Sequence, residues 1–192
     1  MKAIWLSCAI SVCNPALASA QAVSASSAGD VTVYFSPDGG AQSAIVHAID
    51  DAKRSILVQA YSFTSAPIYR ALADAKLRGV DVRVLVDKTA VSQDFRGDGT
   101  RFELEHGVPL RVDYIPGKGV AHNKVMIIDG DTVLTGSFNW SRSAETVNAE
   151  NLVIFNHNPA LARAYTVNWS TRAQHAIPVN AVPDSAGAAP ED

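Results

Sequence analysis

A histidine, a lysine, a serine and an asparagine are gathered in one short stretch, Ala121 to Ser141, which reads A-H-N-K-V-M-I-I-D-G-D-T-V-L-T-G-S-F-N-W-S. His122 offers an imidazole that can attack or relay protons, Lys124 a fixed positive charge, and Ser137 and Asn139 short hydrogen-bonding side chains. Together they suit a phosphate. Two apolar runs separated by Gly130-Asp131 predict a β-hairpin with these groups at its open end. A Gly-X pair fits the centre of a type II′ turn, which pairs Asp129 with Thr132, Lys124 with Ser137 and His122 with Asn139. Alternation along the strands then places all four polar side chains on one face, with Val125, Ile127, Leu134 and Phe138 on the other. Asp129 falls roughly 20 Å from His122 at about 3.3 Å per residue, so it is expected to support the structure rather than touch the same substrate atom.

The elements that must position this hairpin come before and after it. Val31 to Phe35 alternates as a strand and ends in the turn cluster Ser36-Pro37-Asp38-Gly39-Gly40. Ala44, Ile45, Ala48, Ile49 and Ala52 mark one face of a helix, in which His47 reads as an ordinary packed or surface histidine. Ser55 to Ser62 predicts a buried strand, Ser65 to Arg78 a helix with Ser65 as cap and Pro67 in its first turn, and Asp81 to Asp87 a third strand. A polar loop from Lys88 leads to a short helix over Glu103 to His106. Arg96 and Arg101 in this segment could guide a polyanion, though solvated surface charge is the simpler reading. Leu110 to Ile115 and Asn151 to Phe155 predict further strands, and Pro159 to Gln174 a closing helix. The strand–helix alternation predicts an α/β fold: a mixed, largely parallel β-sheet flanked by helices on both faces, in a single domain over 30–176.

Length and composition agree with one globular domain: 192 residues, 47% of them hydrophobic. Residues 1–20 read as a secretory signal, with Lys2 before an apolar run and Ala18-Ser19-Ala20 as the cleavage pattern. The run is too short for a membrane span and is broken by Asn14-Pro15. Residues 21–29 predict a flexible leader and 177–192 a loose Ala/Pro-rich tail. The expected location is therefore exported, periplasmic or secreted. Cys8 and Cys13 both lie in the signal, so the exported chain would have neither disulfide nor cysteine-bound metal. Loss of Lys2 leaves 15 basic against 19 acidic residues, an unusual balance for an extended nucleic-acid binder.

His122, Lys124 and Asp129 spell H-x-K-x-x-x-x-D, and Gly136-Ser137-x-Asn139 follows. This resembles the signature of the phospholipase D superfamily, and its G-S-F-N-W-S continuation is similar to that of the small, exported, single-motif bacterial endonucleases. The likeness runs from Val31 to about Gln174. Larger members carry two copies of the motif; here His47, His106, His157 and His175 lack a lysine two residues on, so there is one copy. The resemblance implies a homodimer with a composite site on the twofold axis. It also implies a metal-independent, cofactor-free phosphodiesterase in which His122 forms a phosphohistidine while the partner subunit's His122 serves as acid and then base. Lys124, Ser137 and Asn139 would bind the phosphate, Glu150 would hold the tautomer of His122, and Asp129 completes the family pattern.

Three functions follow as alternatives. The first is a nonspecific endonuclease acting on DNA, with RNA as a candidate second substrate, since no base-reading element is evident. The second is a lipid phosphodiesterase, disfavoured because the sequence shows no basic amphipathic helix, so no stable membrane association is expected. The third is a non-catalytic module, disfavoured by the completeness of the set His122, Lys124, Ser137, Asn139 and Glu150.

Overall fold

Strand and helix alternate through the first half in a computed structural model that describes residues 30–91 and 98–183. The predicted signal (1–20) and leader (21–29), Arg96 and the last part of the tail (184–192) lie outside the described residues. The elements run β1 (Val31–Ser36), α1 (Ala41–Asp51), β2 (Ser55–Ala60), α2 (Ala66–Leu77), β3 (Asp81–Asp87), α3 (Asp98–Glu105), β4 (Leu110–Asp113), β5 (Lys124–Ile128), β6 (Thr132–Gly136), α4 (Arg142–Thr146), β7 (Glu150–Phe155) and α5 (Pro159–His175). The helix expected at Glu103 therefore begins earlier, at Asp98, and ends at Glu105.

All seven strands form one sheet in the order β1-β7-β6-β5-β2-β3-β4. The α/β class and the helices on both faces are as read, but the pairing corrects the expectation of a largely parallel sheet. Only β2–β3 and β3–β4 are parallel. The other four pairings, β1–β7, β7–β6, β6–β5 and β5–β2, are antiparallel. The physical reason is interleaving. Helical crossovers leave β1, β2, β3 and β4 pointing one way, while the hairpin β5–β6 and its continuation β7 slot between β1 and β2 and reverse each neighbour.

Two apolar layers clothe the sheet. Ile45 and Ile49 of α1 and Ile68 and Leu72 of α2 pack with Ile56, Val58, Val84, Met126, Ile128 and Leu134 on one face. On the other, Ala162 and Trp169 of α5 cover Leu85, Val125, Ile127 and Val133. Each fully buried aliphatic side chain of this kind contributes about 1.5–3 kcal/mol. Trp169 also donates its indole N–H to the Val58 carbonyl at 3.0 Å, fixing α5 to β2. Ser65 precedes α2 as expected but does not cap it with its side chain; its hydroxyl instead bonds Gln42 Oε1 at 2.8 Å, tying α2 to α1.

The tail is not loose from residue 177. Ile177 exchanges backbone hydrogen bonds with Val112 on β4, at 2.8 and 2.9 Å, and Val179 and Val182 pack against the core. Apolar side chains spaced along 177–182 find an open sheet edge, which composition alone does not reveal. Among the described residues no helix is long and apolar enough to cross a membrane.

Candidate active site

The hairpin turns one residue earlier than its sequence suggests. Ile128 pairs with Thr132, Ile127 with Val133 and Met126 with Leu134, which leaves a three-residue loop, Asp129 to Asp131, whose first two residues are at positive φ (53° and 72°). An Asp-Gly pair in this conformation is a type I′ turn, closed by Asp131 N–H on the Ile128 carbonyl at 3.2 Å. Continuing that register sets Lys124 opposite Gly136 rather than Ser137. Leu134 and Phe138 thus share the face of Met126 and Ile128, opposite Val125 and Ile127. Both faces of the hairpin are core, and the expected division into an apolar and a chemical side does not hold. The chemistry sits instead at one end of the sheet, where β2, β3, β4 and β6 finish and β5 and β7 begin.

Asp129 explains the turn. One carboxylate oxygen accepts the Arg54 and Ser55 N–H groups at 2.7 and 2.9 Å, and the other accepts that of Lys53 at 2.9 Å. The Arg54 guanidinium returns to the Asp129 carbonyl. Burial alone would raise this carboxyl, but the Ser55, Lys53 and Arg54 backbone bonds and the Arg54 charge outweigh it and hold the group below the ordinary aspartate value. Asp129 lies at the far end of β5 from His122, binding the hairpin to the α1–β2 junction, in the supporting place that its distance along the strand predicts rather than among the groups around His122.

His122 and Lys124 are brought together. Lys124, first in β5 and only 7% exposed, sends Nζ to the His122 carbonyl at 2.9 Å and to His122 Nε2 at 3.1 Å. An ammonium can only donate, so the Nε2 it faces is the unprotonated nitrogen and the ring proton is on Nδ1. His122 itself is exposed. Burial, then the Lys124 charge, lower its basicity, opposed by Asp87, so the ring is held below its ordinary titration range. Lys124 is likewise lowered by burial, with the Glu150 carboxylate acting against the shift.

The remaining candidates flank this pair. Ser137 Oγ accepts the backbone N–H of Asn151 at 3.0 Å and its side-chain amide at 3.2 Å, which leaves the hydroxyl proton free to donate outward. Gly136 is required here: its φ is +147°, and a Cβ would lie 2.3 Å from the Asn151 carbonyl oxygen, the acceptor shared by the Ser137 and Phe138 N–H groups at 3.1 Å each. Asn139 is pinned between fully buried Phe138 and Trp140, and its side-chain oxygen Oδ1 is shielded without a hydrogen-bond partner among the described residues. Trp140 donates to the Gln59 carbonyl at 2.9 Å, and Ser141 caps α4 by accepting from Ala144 N–H at 3.2 Å. The aromatic and terminal serine positions of G-S-F-N-W-S are thus packing and capping. Glu150 begins β7 and accepts from Asn148 Nδ2 at 3.0 Å; the contact that meets His122 in this chain comes from Lys124, with Glu150 acting on the lysine's charge.

Two further residues reach the site that motif spacing misses. Asp87, wholly buried at the end of β3, accepts the Ala121 N–H at 2.6 Å and the Thr89 N–H and hydroxyl at 2.9 and 2.8 Å. It anchors the backbone just before His122. Tyr61 follows β2 and places its ring 4.5 Å from that of His122, edge to face. The signal for both was positional, since each stands at the carboxyl end of a parallel strand, where α/β sites assemble. Among the described residues no three His, Cys, Asp or Glu side chains gather as a metal site.

With this geometry, comparison with known proteins gives a consistent result. Residues 45–171 match the family described as cardiolipin synthase, PLD-like domain. A phospholipase D of Rickettsia prowazekii is 39% identical over 151 residues, 78% of this chain and 71% of that protein. A mitochondrial cardiolipin hydrolase of Xenopus tropicalis is 31% identical over 103 residues, 54% of this chain and 47% of that one. The crystal structure of Nuc from Salmonella typhimurium, described as a phospholipase D family member, superposes with a TM-score of 0.71 at 40% identity, covering 77% of this chain and 95% of Nuc.

Proposed function

Since this chain belongs to the phospholipase D superfamily and is a phosphodiesterase of that kind, we propose that it is a metal-independent, nonspecific endonuclease cutting DNA, with RNA as a candidate second substrate, in a site shared by two subunits. The observation that carries the reading is the exposed His122 imidazole with its Nε2 3.1 Å from Lys124 Nζ. Nε2 attacks phosphorus and forms a P–N bond as the P–O bond to the leaving group breaks. The partner subunit's His122, as imidazolium, gives that oxygen its proton. The partner's imidazole then takes a proton from water as the water oxygen attacks phosphorus, and the P–N bond breaks. Lys124 offsets charge on the non-bridging oxygens, and the free Ser137 hydroxyl and the Asn139 amide donate to them. Glu150 keeps Lys124 cationic.

A polymer backbone must lie across a site rather than enter a cavity, and the exposure of His122 and Ser137 at the end of the sheet suits this. Val31, Val33 and Phe35 on edge strand β1, 53%, 47% and 64% exposed, supply an apolar strip that supports a second copy as partner. An exported location belongs to the same proposal, checked by N-terminal sequencing of exported protein for a start near Gln21.

Purified mature protein with supercoiled plasmid in excess EDTA is expected to yield nicked and linear DNA, and an absolute need for added divalent metal would sink the mechanism. The second reading is a lipid phosphodiesterase, favoured by the names phospholipase D and cardiolipin hydrolase carried by the relatives. Hydrolysis of phosphatidylcholine or cardiolipin vesicles faster than DNA would put it first.

A further inference from the structure

We propose that Tyr61 is a positioning residue of the phosphodiester site, its ring serving as the pivot on which Lys124 passes from His122 to the substrate phosphate. This rests on the phosphodiesterase reading above. Three groups touch in a triangle: Lys124 Nζ to His122 Nε2 at 3.1 Å, the His122 and Tyr61 ring centres at 4.5 Å with planes inclined by 61°, and Lys124 Nζ to the Tyr61 ring centre at 5.1 Å. The last distance is within the roughly 6 Å over which a ring face attracts a cation.

The contact with Nε2 poses a problem that this triangle answers. While Lys124 donates to Nε2, the lone pair needed for attack is occupied. An arriving phosphate offers the ammonium a charged acceptor, and Nζ must leave Nε2 for a non-bridging oxygen without drifting into solvent or losing its charge in a buried place. The Tyr61 ring keeps Nζ attracted throughout that exchange. Its edge-to-face contact also fixes the imidazole plane, so the released lone pair stays aimed. Tyr61 is itself held by its place: it directly follows Ala60, which pairs with Lys124 across β2 and β5. The hydroxyl has no part in this role, which belongs to the ring face.

The test replaces Tyr61 in the full exported chain and follows bis(p-nitrophenyl) phosphate hydrolysis. Tyr61→Phe is expected within about twofold of the original kcat. Tyr61→Leu, similar in bulk but without a π face, is expected to lose about tenfold in kcat with KM changed less than threefold, in line with the attraction of a ring for a partly desolvated cation. Phenylalanines carrying one, two and five fluorines at this position keep the shape while draining charge from the ring face, and kcat is expected to fall in that order. This series guards against a Leu variant that fails to fold. A Leu variant at the original rate, a Phe variant as impaired as Leu, or a flat fluorine series would each overturn the proposal. If the unaltered protein does not cleave the probe at all, the phosphodiesterase reading fails. The ring contact is then decided by NMR: the His122 Cε1–H signal, displaced by the Tyr61 ring current, is expected to be kept in the Phe variant and lost in the Leu variant. An unmoved signal in the Leu variant refutes the triangle.

Discussion

Glu103 on α3 has no exposed surface, and neither carboxyl oxygen has a hydrogen-bond partner among the described residues. Burial pushes its carboxyl from the ordinary 4.5 up to about 8. Below pH 4.5 the group is protonated in both the folded and the unfolded chain. As pH rises toward 8 the unfolded chain ionises while the folded one keeps its proton, so folding is progressively disfavoured; above that the loss is complete. At about 1.4 kcal/mol per pH unit the interval amounts to about 5 kcal/mol, against total stabilities of about 5–15 kcal/mol for domains in general. Glu103→Gln removes the titration and keeps the shape. At pH 5 the variant is expected within about 1 kcal/mol of the original, the difference between one unsatisfied polar group and another. By pH 8.5 it should be more stable by about 4–5 kcal/mol, a Tm gain of about 10–20 °C at 2–4 °C per kcal/mol for a chain of this size. Urea unfolding of both proteins at half-unit steps from pH 5 to 9 reads this directly, because every other titrating group is common to the pair and cancels. A stability difference that stays flat across that range, or grows in favour of Glu103, would refute the reasoning.

Other expectations follow from the same geometry. Asp129→Asn, which tolerates the left-handed backbone but turns an amide against one of three N–H donors, should cost about 1–2 kcal/mol at pH 7 with kcat little changed. The depressed carboxyl contributes stability above the unfolded aspartate value and loses it as pH falls through the folded one, so the gap should narrow in thermal melts as the pH is taken below the unfolded value; a purely kinetic defect with unchanged melting would contradict the structural role. Asp87→Asn removes the negative charge that raises His122, so the acid limb of the rate profile and the His122 NMR titration should both move to lower pH, and an upward shift would be contrary. His122→Ala should abolish turnover while leaving melting and assembly intact. For the proposed dimer, Phe35→Glu should weaken self-association at least tenfold in sedimentation equilibrium, and an unchanged constant would place the interface elsewhere.

How far the sequence discloses this molecule depends on which residues answer to local rules. The helical faces of α1 and α2 and the strands β2 and β3 were legible because their periodicities are satisfied within each element. The order of the sheet was not, because nothing local records that β5–β6–β7 enters between β1 and β2. The one-residue error in the hairpin is more instructive. Asp129-Gly130 and Gly130-Asp131 are overlapping turn signals of comparable strength, and neither strand prefers one. What decides is distant in sequence: the Lys53, Arg54 and Ser55 N–H groups at the start of β2, which need the Asp129 carboxylate and so draw Asp129 into the turn. That single step undoes the common face of His122, Lys124, Ser137 and Asn139, which keep their place at the open end of the hairpin and so at one end of the sheet. A site on a hairpin face would be furnished by the hairpin alone. A site at the end of a sheet is open to every strand that terminates there, which is why Tyr61, just past β2, lies against His122 and Asp87, ending β3, anchors the residue before it, although no spacing in the motif points to either.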